Sequence, residues 1–205
     1  MILVLSQFLL NAQAEPMNYG FTANQSTLYV KVYKAESLAS DLAHDHAIQA
    51  VGWSGKAIMD MDNLSTCDIS LSVPVNNLYV DKTEIRKLAG LEGEISDSQR
   101  KEIQGNMLSK GQLNADAFPM ITFKSTSCEG SGENITLKGN FTLRGKTNAI
   151  SIPVKMKTDD GLSMKGTFPV KATDYGFEPY SALFGAVANK DAMEIYFDLK
   201  GQAKE

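Results

Sequence analysis

His44 and His46 stand two residues apart, a spacing that on a strand puts both imidazoles on one face, as in several zinc sites. A metal needs a third ligand, and no second cluster of His, Cys or carboxylates stands at a recognisable spacing, so a metal at His44 and His46 is kept only as an alternative. The other reading puts both at a strand entrance, where ring nitrogens meet backbone groups or a ligand headgroup, with His46 facing the interior. Catalytic patterns are missing. The hydroxyl residues alternate on outward faces without a Gly-x-Ser-x-Gly elbow, and no glycine loop cradles phosphate. Asp60, Asp62, Asp159 and Asp160 sit in polar turns rather than as a paired acid and base. The chain reads as a non-enzyme with no obligatory cofactor.

Cys67 and Cys128 are the only cysteines. If the strands over residues 66–75 and 119–128 are antiparallel neighbours, the two thiols fall at matching ends. Parity argues against a bridge: Cys67 shares a face with Ile69, Leu71 and Val73, whereas Cys128 is out of phase with Ile121 and Phe123 and points outward. A bulge would restore the phase. Bridged and free cysteines both remain open.

The 205 residues fit one domain, 43% hydrophobic and 21% charged, with a net charge of −4 and no basic block. That balance offers no electrostatic footprint for nucleic acid. Residues 2–10 form an apolar run too short to span a bilayer, followed by the small-residue pattern Ala12-Gln13-Ala14. Residues 1–14 therefore read as a signal peptide cleaved after Ala14, leaving residues 15–205 as one periplasmic or secreted domain with no integral membrane span. No Lys or Arg precedes the run, so either the start lies upstream or the segment is a first core strand.

The elements that position these groups follow from alternation. Period-two patterns predict strands over residues 26–33, 44–61, 66–75, 119–128, 135–143, 150–156, 162–171 and 193–199. The second is interrupted at Gly52 and Gly55, where its phase changes. Gly145 to Asn148 and Thr158 to Gly161 read as hairpin turns. Capping-box spacing at Asp81/Glu84 and at Ser96/Gln99 predicts two helices. The first presents Ile85, Leu88 and Ala89 before Gly90; the second presents Ile103, Met107 and Leu108. Residues 174–191 form a long connection with an apolar patch at Leu183, Phe184 and Val187. The fold class is therefore mainly β: an antiparallel, eight-stranded, up-and-down barrel with a helical insertion between the third and fourth strands.

The run Ala115-Asp116-Ala117-Phe118-Pro119-Met120-Ile121-Thr122-Phe123-Lys124-Ser125-Thr126, followed by the strand and turn from Ile135 to Thr147, resembles the YceI-like family of bacterial periplasmic lipid-binding proteins. Asn106-Met107-Leu108 and the closing strand Ile195-Tyr196-Phe197-Asp198-Leu199 extend the resemblance over most of residues 19–202. It implies a lipocalin-like barrel whose ligand is an amphiphilic isoprenoid or quinone-type lipid. Two features depart from the best-known members: the long helical insertion, and His44-Asp45-His46 in place of a single His.

The candidate cavity-lining residues are His46, Trp53, Met107, Phe123, Phe141, Ile152, Phe168 and Phe197. The bland reading of each aromatic is plain core. A prenyl tail burying about 500 Å² gains on the order of 12 kcal/mol gross, much of it lost to ordering a floppy chain. The expected function is that of an exported carrier or sequestering protein. Its rivals are a metal or redox accessory protein using His44 and His46, and a filled structural barrel that binds a protein partner. A monomer and a homodimer are both left open.

Overall fold

The structure is a computed structural model that describes residues 15–36 and 43–204. The signal-peptide reading of residues 1–14 lies outside the described residues.

Five long strands form one wall in simple succession: β7 (Met120–Ser131), β8 (Asn134–Leu143), β9 (Lys146–Lys157), β10 (Leu162–Lys171) and β12 (Val187–Ala203), the last preceded by the two-residue β11 (Ser181–Ala182). Each pairs antiparallel with the next. Their inward residues are those the alternation marks, among them Ile135, Leu137, Phe141, Ile152, Val154, Met156, Met164, Phe168, Phe197 and Leu199, all buried. The β8–β9 turn is tight because Arg144 and Gly145 both adopt positive φ, 50° and 73°, the geometry that matches strand twist in two-residue hairpins.

The N-terminal half supplies three long strands, each broken once. The first is β1 (Met17–Thr22) and β2 (Thr27–Lys34), split by a 3-10 turn at Ala23–Gln25. The second is β3 (His46–Ala50) and β4 (Ser54–Met59), split where Gly52 takes a φ of 57°. The third is β5 (Asp68–Pro74) and β6 (Leu78–Val80), split by the 3-10 turn Val75–Asn77. The alternation pattern finds the break at Gly52 but misses β1, which is only six residues long.

β1, β4, β5, β7, β8, β9, β10 and β12 close into an antiparallel ring of eight, sealed by β1 pairing with both β4 and β12. The expected eight-stranded barrel is therefore present. β2, β3 and β6 extend the wall upward from β12. Among the described pairings β6 has no further strand neighbour; the helical insertion, α1 (Thr83–Leu88) and α2 (Asp97–Leu108), lies between it and β7 in sequence. The Gln104 side chain caps that edge, accepting from Val80 N at 3.0 Å and donating to Leu78 O at 2.7 Å. An unpaired strand edge needs such cover.

The two helix starts diverge. Ser96 caps α2 with the reciprocal capping box that its spacing with Gln99 predicts. Asp81 does not cap α1, correcting the expectation: the N-cap position is Lys82, with no side-chain cap bond. Ile85 and Ala89 pack with Tyr29 and Ala47 on the outer face of β2 and β3, whereas Leu88, expected on the same stripe, is exposed.

Cys67 and Cys128 form a disulfide with a Cα–Cα distance of 5.9 Å. The parity objection fails because the β7–β8 register shifts between Ser125 and Ser127. That bulge turns Cys128 inward, to 7% exposure. Ser125 is itself buried and receives the Ile69 N–H at 2.7 Å, so the irregularity leaves no orphaned donor there.

Candidate functional site

Two separate spaces stand out among the described residues. The upper one, of about 260 Å³, is bounded by β3, β6, α2 and the segment running into β12. Its walls include Val32, Ile48, Val80, Ile103, Met107, Phe177 and Met193, with His44, His46, Asn106 and Tyr180 supplying polar groups. The lower one, of about 70 Å³, is walled by Phe123, Phe141, Ile152, Phe168, Phe197 and neighbouring aliphatic residues. Ligand sites commonly measure ~300–1,000 Å³, so the upper space approaches that range and the lower one is a packing void.

This division sorts the residues that alternation singles out. His46 and Met107 line the upper cavity, and His44 is an exposed member of its rim. Phe123, Phe141, Ile152, Phe168 and Phe197 line the lower one. Their rings interlock edge to face, Phe141 with Phe168 at 5.8 Å and Phe168 with Phe197 at 6.4 Å between centroids. Trp53 lines neither space; it is buried at the β3–β4 break with its indole nitrogen unpartnered. Among the described residues no three His, Cys, Asp or Glu side chains gather into a metal-holding group.

Behind the His46 wall of the upper cavity lies a polar centre that sequence reasoning missed. Asp81 is fully buried at a φ of 52°. Its Oδ2 lies 2.6 Å from His46 Nδ1, while its Oδ1 accepts from Arg86 Nη1 at 2.9 Å and from Ala47 N at 2.9 Å. Burial pushes the Asp81 carboxyl upward, but the hydrogen bond and charge of His46, the Ala47 N–H and the Arg86 guanidinium outweigh it and hold the group below the usual carboxylate range. Arg86 is saturated in turn, donating to the carbonyls of Asp45, Glu92 and Gly93. One signal was available: Asp tolerates the left-handed region better than most residues, and an Asp two places before a helix can face elsewhere than its cap.

The pairing orients His46. An ionised carboxylate only accepts hydrogen bonds, so Nδ1 carries the proton that points at Asp81. Nε2 is then the ring nitrogen not engaged by Asp81, on a side chain that lines a mostly apolar cavity. A hydroxyl-bearing or carbonyl-bearing headgroup can be met there, directly or when the ring is protonated, while hydrocarbon fits against Val32, Ile48 and Met193.

A sequence profile of the YceI-like domain matches residues 19–201. The protein YceI of Salmonella arizonae is 33% identical over 60 residues, 29% of this chain and 31% of that protein. The aligned stretch thus spans about a third of the curated relatives it matches. Among solved structures, Burkholderia cenocepacia BcnA superposes with a TM-score of 0.66 at 14% identity, over 87% of this chain and 98% of that one. A polyisoprenoid-binding domain from Saccharophagus degradans implicated in plant cell wall breakdown gives 0.62 at 12% identity, over 92% and 99%. At these identities the superpositions establish the shared fold.

Proposed function

The chain belongs to the YceI-like family, and from that premise we propose that it is an exported carrier or sequestering protein for an amphiphilic isoprenoid or quinone-like lipid. The observation that carries the reading is the upper cavity of about 260 Å³, whose lining is mostly apolar and whose polar and charged groups, Glu102 and Lys190 among them, include an oriented imidazole. Pockets of that make hold a greasy body by area and fix its orientation by one or two polar contacts. The headgroup sits at His46 and the first isoprene units lie along Met107, Val32 and Met193. A longer tail requires the aromatic layer of Phe141, Phe168 and Phe197 to yield, because the space below it is only about 70 Å³. Binding is what this geometry supports: hydrocarbon side chains make up most of the lining, and the oriented His46 imidazole stands among them as a contact for a headgroup.

Export is supported by two features. Residues 2–14 carry an apolar run ending in a small-residue cleavage pattern, and the Cys67–Cys128 bridge suits an oxidising compartment.

Organic extraction of the purified protein with mass analysis, paired with native mass spectrometry, tests the reading. A persistent hydrophobic adduct is the expected result. A clean apo mass together with no uptake of added prenyl quinone overturns it in favour of a filled barrel.

A further inference from the structure

The connection from β10 to β12 ends in a finger whose tip neither the core nor the cavity uses. Ser181 and Ala182 pair with Ala188 and Val187, and Leu183, Phe184 and Gly185 turn the chain between them. Leu183 is 65% exposed and Phe184 fully so. Both residues occupy the left-handed region, at φ values of 49° and 54°, which side chains other than Asn and Asp rarely enter. Solvation gives no reason to hold two large apolar side chains outward on a strained backbone, and strain of this kind gathers where a surface has a task.

The feet of this finger are the rim of the upper cavity. Pro179 and Tyr180 on one side, and Val187 and Asn189 on the other, line that cavity. Tyr180 O accepts the Asn189 N–H at 2.9 Å, and the Tyr180 hydroxyl accepts from Asn106 of α2 at 3.4 Å. Whatever holds the tip therefore also holds the mouth. We propose that Leu183 and Phe184 form a membrane-contact tip, which inserts into the interfacial layer of a lipid bilayer and sets the mouth of the upper cavity against that surface.

Its dimensions favour a bilayer over a protein partner. Two protruding side chains offer on the order of 350 Å², against ~800 Å² per partner in a stable protein interface. Hydrocarbon requires no complementary surface, so a small convex tip suffices for reversible interfacial binding. The residues beside the tip, Ala182, Gly185 and Ala186, bring no charge that insertion would desolvate. Exposed Lys190 stands a few positions behind in the chain, on the rim of the upper cavity, and offers a cation to lipid phosphates. The inference rests on the rim alone and holds whichever ligand fills the cavity.

Flotation of the full chain with vesicles of mixed phosphatidylethanolamine and phosphatidylglycerol, and with pure phosphatidylcholine vesicles, tests the tip. The paired variant is Leu183→Asn with Phe184→Asn, because Asn accepts the left-handed region and relieves strain while removing the apolar surface. The expected result is binding of the unaltered chain to both vesicle types and about a tenfold or greater fall for the variant, the scale of losing two inserted apolar side chains. A fluorophore on Phe184→Cys should shift to the blue with vesicles, and one on Asp160→Cys, in the turn at the opposite end of the barrel, should not. Equal binding by variant and unaltered chain, binding confined to anionic vesicles and indifferent to the substitutions, or a tip that instead drives self-association would each overturn the proposal. Ligand uptake in vesicle-free buffer, measured alongside, reports on the carrier reading separately.

Discussion

His46 Nδ1 lies 2.6 Å from Asp81 Oδ2 although 35 residues separate them in the chain. Asp81 and Arg86 tie the helical insertion to β3, and His46 extends that tie into the cavity wall. A structural ion pair and a candidate headgroup contact are thus built from one carboxylate.

Replacing Asp81 separates stability from recognition poorly, so its effect is expected on both. Asp81→Asn keeps the backbone geometry but leaves the buried Arg86 without its counter-charge, a change that costs about 3–5 kcal/mol. Urea unfolding followed by the fluorescence of Trp53 measures it. An unchanged midpoint would mean that Arg86 is satisfied by its three carbonyls alone.

The same carboxylate sets an acid limit. Its folded pKa lies below the unfolded value of ~3.9, so the ionised group stabilises the fold above that pH. The contribution is lost as pH falls through the depressed folded value. The urea midpoint of the unaltered chain should therefore decline below about pH 4, and that of Asp81→Asn should decline less steeply over the same window.

His46→Ala addresses recognition. Losing a single headgroup hydrogen bond is expected to weaken binding of a prenyl quinone by about fivefold to tenfold, with a smaller loss of stability than Asp81→Asn. Binding of a plain prenyl hydrocarbon should be unaffected. Isothermal titration with both ligands checks the contrast; parallel losses would mean that His46 only shapes the cavity.

The two spaces predict opposite mutational behaviour. Met107→Trp fills the upper cavity and should abolish uptake of a quinone while barely moving the unfolding midpoint, because Met107 is only half-buried. Phe168→Ala enlarges the lower void and should cost about 3–5 kcal/mol, yet extend the longest tail accepted. A series of prenyl chain lengths read by native mass spectrometry distinguishes these outcomes.

Reduction of the Cys67–Cys128 bridge, which closes a separation of 61 residues, should cost about 4 kcal/mol by the chain-entropy estimate. Urea midpoints with and without dithiothreitol measure the loss. Far-ultraviolet circular dichroism at zero urea should stay unchanged if the ring of strands survives without the bridge.

Much of this molecule was legible in the order of its residues. Alternation at Ile135, Leu137, Phe141, Ile152, Val154 and Phe168 marks the inward faces, because a strand has a period of two and one face must leave water. The Ser96 capping box marks the start of α2 because its bonds are local. Tertiary structure alone decided the rest. Asp81 carries the same local signature as Ser96, but His46 and the Ala47 N–H, both remote in sequence, together with Arg86 claim its carboxylate instead. The phase of Cys128 depends on one bulge in a pairing that its own strand does not encode. Most of all, periodicity tells which side chains point inward but not how much room they leave: Phe141 and Met107 both face the interior, yet only Met107 borders a space large enough for a ligand. Volume is a sum over every strand and helix that closes around it, and no local stretch of sequence contains that sum.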